Sequence, residues 1–512
     1  MNPGAAALLL MVLGAFSKVL GFLRDQVIAA MFGASAQTDA YLVGLTVPTV
    51  GVTILCNGVA TTFIPVYSER IADAEHRRDL WLGVLWVSGL FLFGLGAAGV
   101  LLAAQVTRVL APGLHGNTLR LATLCSAIMF PGVVFTGLTT LAKSALNCHR
   151  QFVVPALAPI VQNCVIICAL LLAARRLGVV ALAVGQSLGM LTAFLLQVPW
   201  LRKHGFGFRR PSNWSVARSE ARKVYRLALP LFVSSLVAQI YTLVDKNLAS
   251  HLPEGSIAAL NFADKLRQLP LGLFVTSLTT VLYPTLAACG SRGDMAGLGK
   301  QLATGLCLVL MIMLPAAAGL GVLSRTTVRV VFERGAFDAS DTLNTAKALV
   351  AYAPGMVAMA VSSILSFGLY SLKSTVWPMI SGVLSAVLNM LLAVLFVEPL
   401  GHAGLALANS CSSALSTVLL GFMIHKAMGQ HSPWRREFFV PLAKMASATG
   451  GMCLVGLALA RFWGTRGPVA GLTLIAASAV CYFLLLLALG SKELRLVYGI
   501  VSERIRPIGR NG

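Results

Sequence analysis

Six basic side chains interrupt stretches of this sequence that are otherwise apolar: Lys18, Arg24, Lys246, Lys265, Arg267 and Lys347. Four acids stand among or beside them, Asp25, Asp39, Asp245 and Asp264. A charge at the centre of a bilayer costs at least ~2.5–3.5 kcal/mol per residue, so such groups normally face a cavity or a partner. Basic groups in a polar cavity suit an anion, and phosphate above all, with arginine binding through paired hydrogen bonds and lysine as a point charge. Lys18 has no acid within four positions. Asp25 and Asp264 are next to Arg24 and Lys265, but adjacent residues on a helix point apart. Lys18, Arg24 and Lys265 are therefore read as ligand-binding groups. Asp264 and Arg267 are three apart and are placed to pair with each other. Asp39 and Lys246 lie near a membrane face. Asp245, Asn163, Asn389 and Asn409 could form a cation site, or could be helix-packing hydrogen bonds.

The elements that carry these groups follow from composition. The chain has 512 residues, 57% hydrophobic and only 11% charged, against roughly 25% charged in soluble domains. A polytopic membrane protein is the class that fits. The net charge of +22 suggests nucleic acid, but the Lys and Arg sit between apolar runs, so no nucleic-acid partner is expected. Ten cysteines fall mostly within apolar runs without a C-x-x-C pair, which points to neither zinc nor a disulfide framework. The first apolar stretch continues past Lys18 and Arg24 and reads as a retained helix, not a cleaved signal.

Apolar runs long enough to span a bilayer occur near 5–32, 40–66, 80–104, 119–142, 154–174, 179–201, 224–249, 257–285, 301–323, 343–370, 376–397, 403–424, 439–462 and 468–490. This predicts an all-α fold of about fourteen transmembrane helices. Alternate connecting segments carry 25 Lys and Arg against 9 on the opposite side. The first set is thus expected in the cytoplasm, with both termini.

The chain repeats itself. At a shift of 223, Pro131-Gly132 falls on Pro354-Gly355, Pro155 on Pro378, Leu177-Gly178 on Leu400-Gly401 and Ala183 on Ala406. Earlier, Asp25 lies 220 before Asp245, Gly33 lies 222 before Gly255, and Thr61-x-x-x-Pro65 lies 219 before Thr280-x-x-x-Pro284. Two pseudo-symmetric six-helix lobes, 1–201 and 224–427, follow, joined by a basic linker over 202–223. A C-terminal helix pair occupies 439–490, and a basic cytoplasmic tail 491–512. Parallel repeats of this kind are a recurrent transporter plan. The charged groups fall in the first two helices of each lobe, which predicts one polar, mildly cationic cavity. Gly14, Gly21, Pro48, Gly51, Pro270 and Gly272 interrupt those helices and are expected to act as hinges. No phosphate-binding loop, H-E-x-x-H or G-x-S-x-G is present. No cofactor or metal is expected, and an enzyme is the least fitting class. Energy would come from an Na⁺ or H⁺ gradient, the membrane potential or the substrate's own gradient.

Several motifs resemble a known family. Ser17-Lys18-Val19-Leu20-Gly21-Phe22-Leu23-Arg24-Asp25, Phe32-Gly33-Ala34 and Thr38-Asp39-Ala40 look like the opening motif of the MviN/MurJ family, bacterial lipid II flippases of the multidrug/oligosaccharidyl-lipid/polysaccharide exporter superfamily. Ala263-Asp264-Lys265-Leu266 with Leu269-Pro270-Leu271-Gly272, then Phe332-Glu333-Arg334-Gly335-Ala336-Phe337-Asp338 and His402-Ala403-Gly404-Leu405-Ala406-Leu407, follow in order. The resemblance implies a central cavity for a polyprenyl-diphosphate-linked glycan, with Lys18, Arg24, Asp39, Lys265 and Arg267 as substrate contacts. Asp25, Asp245, Asn389 and Asn409 are the cation or gating candidates. The polyprenyl tail would use a groove by the last two helices, and lobe rocking would give alternating access. Membrane lipids and the cell-wall synthesis machinery are the implied partners, in the bacterial cytoplasmic membrane. The family usually has arginine at the positions of Lys18 and Lys265. After Pro48 it carries Asn and then Arg, where this chain has Thr49, Val50, Gly51, Val52 and Thr53, and its Glu-Gly becomes Asn57-Gly58. A flippase for another polyprenyl-linked oligosaccharide, of the O-antigen or exopolysaccharide type, is the second reading, and a cation-coupled drug antiporter the third.

Overall fold

A computed structural model describes residues 3–69, 74–208, 211, 213–434, 436–463, 467–491 and 494. Nearly all of the tail expected over 491–512 lies outside them. Apart from short connections the described residues are helical, and none of them is in a strand. In order they form α1 (Pro3–Phe32), α2 (Ala36–Glu69), α3 (Ala74–Leu101), α4 (Ala103–Leu110), α5 (Gly116–Met129), α6 (Gly132–Cys148), α7 (Val153–Leu177), α8 (Val180–Leu195), α9 (Val198–Lys203) and α10 (Trp214–Ser250). Then come α11 (Ser256–Pro270), α12 (Thr276–Arg292), α13 (Met295–Val322), α14 (Ser324–Phe332), α15 (Ala339–Ser371), α16 (Val376–Leu400), α17 (His402–Met428), α18 (Arg436–Trp463) and α19 (Pro468–Ala488). Helices are what a bilayer demands, because every backbone polar group must be satisfied within its own segment.

Each of the fourteen apolar runs falls on one helix or on consecutive helices, as 119–142 does on α5 and α6. Among the described residues, eleven helices are long and apolar enough to cross a membrane, or twelve when the pair α5 and α6, bent by 43°, counts as one. The expected fourteen is thus not reached on length and composition alone. The two runs left over lie on α1 and α10, which are 30 and 37 residues long but carry Lys18, Arg24 and Asp25, and Arg218 to Arg226 with Asp245 and Lys246.

The chain divides into two compact units. One comprises Met1–Ala258 with Arg334–Asp338, the other Ala259–Glu333 with Ala339–Gly512. This differs from the expected lobes: α10 groups with the first unit, packing on α2 and α3. An added Cβ at Gly83 would meet Ala217 O at 2.1 Å, and Ser88 and Tyr225 share a 2.6 Å hydroxyl contact. Small residues at such crossings let helices approach closely in lipid. The expected linker over 202–223 is also partly helical. Asn213 caps α10 by accepting from the Ser215 and Val216 amides, so ten of those residues begin a helix.

The repeat is written into the backbone of each unit. Gly178 has φ 56° and ψ −140°, and Gly401 has φ 57° and ψ −138°. Arg150 and Lys373, also 223 apart, both have φ 57°. The short helices α4 and α14 occupy corresponding places in segments that composition assigns to loops. Of the expected interruptions, one alters its helix: Leu271–Val275 forms a π-helical turn directly after Pro270, as a lost backbone donor favours. α1 and α2 run unbroken through Gly14, Gly21, Pro48 and Gly51.

The core of the first unit gathers Phe63, Tyr67, Trp81 and Phe206. That of the second runs along α13, with Leu302, Leu306 and Met313 fully buried and the Tyr482 hydroxyl donating to Met311 O at 2.8 Å.

Candidate functional site

In the first unit, Arg24 sits where α1 crosses α7. Its Nε and Nη2 donate to Asp25 Oδ1 at 3.0 and 2.7 Å, and its Nη1 donates to Asn163 Oδ1 at 3.0 Å. Gly21, one turn earlier on the same helix, opens the space: an added Cβ would meet the Asn163 amide at 3.6 Å. The expectation that adjacent residues cannot pair is corrected here. The arginine stem is long enough for the guanidinium to fold back over the neighbouring carboxylate. The Arg24 side chain keeps 21% of its surface exposed, Asp25 only 10%.

In the second unit, Arg267 on α11 has a similar set of partners. Its Nε donates to Asp264 Oδ1 at 2.8 Å, and Nη2 lies 2.7 Å from the same oxygen. Nη1 donates to Asn409 Oδ1 on α17 at 2.5 Å, and the guanidinium stacks over the Tyr352 ring of α15 at 4.2 Å. The Gln268 amide donates to Asp264 Oδ2. Only 9% of the Arg267 side chain is exposed. Cation–π contact and charge-assisted hydrogen bonds together offset the desolvation of such a guanidinium.

The other sequence candidates are placed differently. Asp39 is buried, and its oxygens accept the Gly255 and Ala258 amides at 2.6 and 2.7 Å. That is the geometry of a helix cap, where the chain enters α11. Lys18 is exposed on α1, Asp245 and Lys246 are half-buried on α10, Lys265 is half-buried on α11, and Asn389 is buried on α16. Asp25 and Asn409, read as cation candidates, are each hydrogen-bonded to an arginine. No group of three or more His, Cys, Asp or Glu able to hold a metal occurs among the described residues.

Sequence reading did not single out Asn163, Tyr352 or Gln268 as partners of the arginines. Asn163 lies 139 positions from Arg24, and nothing local in the sequence connects them. Gln268, four positions after Asp264, was visible as a helical neighbour.

The remaining motifs act as structural pins. Gly335 has φ 61°, an added Cβ there would meet Ala30 O at 2.2 Å, and the next amide, Ala336, donates to Ala30 O at 2.8 Å. Glu333 accepts from Arg329 Nε at 3.3 Å and from the Thr342 hydroxyl at 2.6 Å. His402 Nε2 is 2.9 Å from Asn344 O, and an added Cβ at Gly404 would meet Phe396 O at 2.1 Å.

Apolar helices long enough to cross a membrane, in two units that each hold a guanidinium against an aspartate, define a polytopic membrane protein. A multidrug resistance MATE family transporter of the MOP superfamily, in an inward-facing conformation, has the same fold: TM-score 0.70 at 15% identity, over 81% of this chain and 95% of that one. The family model described as lipid II flippase MurJ matches residues 28–477, and the chain belongs to that family. A probable lipid II flippase MurJ of Vibrio cholerae is 31% identical over 93% of this chain and 94% of its own length. The lipid II flippase MurJ of Burkholderia cenocepacia is 30% identical over 93% and 95%. A solved lipid II flippase MurJ in an inward closed conformation superposes with a TM-score of 0.81 at 26% identity, over 93% of this chain and 98% of that one.

Proposed function

We propose that this chain is a lipid II flippase. It carries the undecaprenyl-diphosphate-linked peptidoglycan precursor from the cytoplasmic to the outer leaflet of a bacterial inner membrane, by alternating access and without chemical conversion of the substrate. The observation that carries the reading is the end-to-end likeness to lipid II flippases over 93% of the chain, and the held guanidinium groups are the physical support. In the first unit, Arg24, which keeps an exposed edge, receives the diphosphate, with Lys18 adding positive charge. Each arginine rests against an aspartate, so the empty protein does not hold bare positive charge in a low-dielectric setting. The diphosphate then displaces the carboxylate as acceptor and exchanges one charge-assisted contact for another, which keeps binding reversible enough for release. The excess of basic residues in alternate connecting segments supports the reading that both termini lie in the cytoplasm.

The test is replacement. A bacterium depleted of its own lipid II flippase is expected to grow when this chain is expressed, and to lyse when Arg24→Ala is expressed to the same membrane level. Lysis with the unmodified chain, correctly inserted, would contradict the lipid II assignment.

A further inference from the structure

The Arg24 guanidinium can only donate, so the side-chain oxygen of Asn163 must face it, as the 3.0 Å contact from Nη1 requires. The amide nitrogen of Asn163 then faces away from the arginine. Asn163 is buried, with 8% of its surface exposed, yet its Nδ2 meets no acceptor among the described residues. Buried amide donors are almost always paired, so this one points to a ligand that accepts hydrogen bonds.

Two further donors lie beside it. Asp25 takes Nε and one N–H of Nη2, and Asn163 takes one N–H of Nη1. One N–H on each terminal nitrogen of Arg24 is left without an acceptor among the described residues. Covalent geometry keeps Asn163 Nδ2 within roughly 5.5 Å of Arg24 Nη1, a span that the oxygens of one diphosphate cover. The set is all donors. A cation has no place in it, because the Asn163 oxygen already faces a positive charge.

Gly21 on α1 keeps the approach to Nδ2 open. A Cβ built there would lie 3.6 Å from Asn163 Nδ2 and 4.0 Å from Oδ1, in the space that an oxygen accepting from Nδ2 would share. Those distances are ordinary van der Waals contact, and alanine is the better helix former. Packing at this crossing therefore does not demand glycine.

We propose that Asn163 is a second residue of the diphosphate site, its Oδ1 orienting Arg24 and its Nδ2 donating to the same anion beside Gly21. This rests on the reading of Arg24 as the group that receives the diphosphate of a polyprenyl-linked substrate. First contact then needs no displacement of Asp25, since all three donors are available while the Arg24–Asp25 pair is intact.

Binding of fluorescent lipid II and of undecaprenyl diphosphate to the full chain in detergent tests it. Asn163→Asp keeps an oxygen on Arg24 but removes the amide donor, and should bind both probes about ten- to a hundredfold more weakly. Gly21→Ala leaves both side chains in place. It should weaken both probes several-fold while unfolding at the same temperature as the unmodified chain or above it. Arg24→Ala separates the two claims. If it binds as tightly as the unmodified chain, the reading of Arg24 falls and the proposal with it. If it loses binding while Asn163→Asp and Gly21→Ala bind normally, Arg24 keeps its role and the Asn163 assignment is overturned. Weakened binding of lipid II alone would put the contact on the glycan or peptide, and would overturn it too.

Discussion

Arg24 and Arg267 carry matching sets of partners, an aspartate from their own helix and an asparagine from another, yet they are not repeat equivalents. Arg24 opens α1 toward α7, whereas Arg267 on α11 meets α15 and α17. The backbone of the two repeats agrees closely, as the paired turns at Gly178 and Gly401 and at Arg150 and Lys373 show. Their polar chemistry does not. Duplication preserved the turns that helix packing enforces and left the charged groups to be placed separately in each half. The two clusters also differ in depth. With 21% of its side chain exposed, Arg24 keeps an edge for a ligand, while Arg267, at 9% and stacked on Tyr352, is more fully enclosed.

That difference gives the largest expected effect. Asp264→Ala strands a buried guanidinium and should cost about 3–5 kcal/mol, read as a fall in thermal stability of the full chain in detergent. Asp25→Ala should cost distinctly less, because water reaches Arg24. Equal losses would erase the distinction between an enclosed cluster and an open one.

Arg24→Lys tests the ligand side of the same comparison. It keeps the charge but loses the planar fork, and a charge-assisted hydrogen bond of about 1.5–3 kcal/mol corresponds to roughly a 10- to 100-fold weaker binding of lipid II. Thermal stability should change little. A variant that binds normally but unfolds early would make Arg24 a structural residue like its counterpart.

Away from both clusters, the smallest effect is a pH dependence. His149 lies beyond the end of α6, its Nε2 2.8 Å from the Tyr67 hydroxyl and its ring 5.4 Å from that of His204. Burial first, then His204 and Arg77, hold its pKa below the ordinary histidine value. The unfolded chain therefore binds the proton more readily than the folded one. This contribution to stability is present above the ordinary histidine pKa and is lost as pH falls through the folded value. Unfolding temperatures of the unmodified chain should drop between pH 7.5 and 5.5 by more than those of His149→Gln. Parallel profiles would contradict that assignment.

Much of this was legible in sequence for a plain physical reason. Spanning helices are set by runs of apolar residues, and the repeat by prolines and glycines whose backbone roles tolerate few substitutes. Gly178 and Gly401 were matched by spacing alone and share their dihedral angles. The short helices α4 and α14 escaped because their apolar faces are too brief to register beside loop-like charge. Asp39 escaped because its partners are backbone amides 216 and 219 positions away, which no side-chain pattern encodes. The Arg24–Asp25 pair was discounted on helix geometry that governs where Cβ atoms point, not where a long flexible side chain ends.

The most direct test of the flippase reading is transport by the purified chain. In vesicles loaded with fluorescent lipid II in both leaflets, the chain should make the inner pool accessible to an impermeant quencher, and Arg24→Ala should slow that exchange to the rate of protein-free vesicles. If the unmodified, folded chain leaves the inner pool protected while its Arg24→Ala variant behaves identically, the central claim fails.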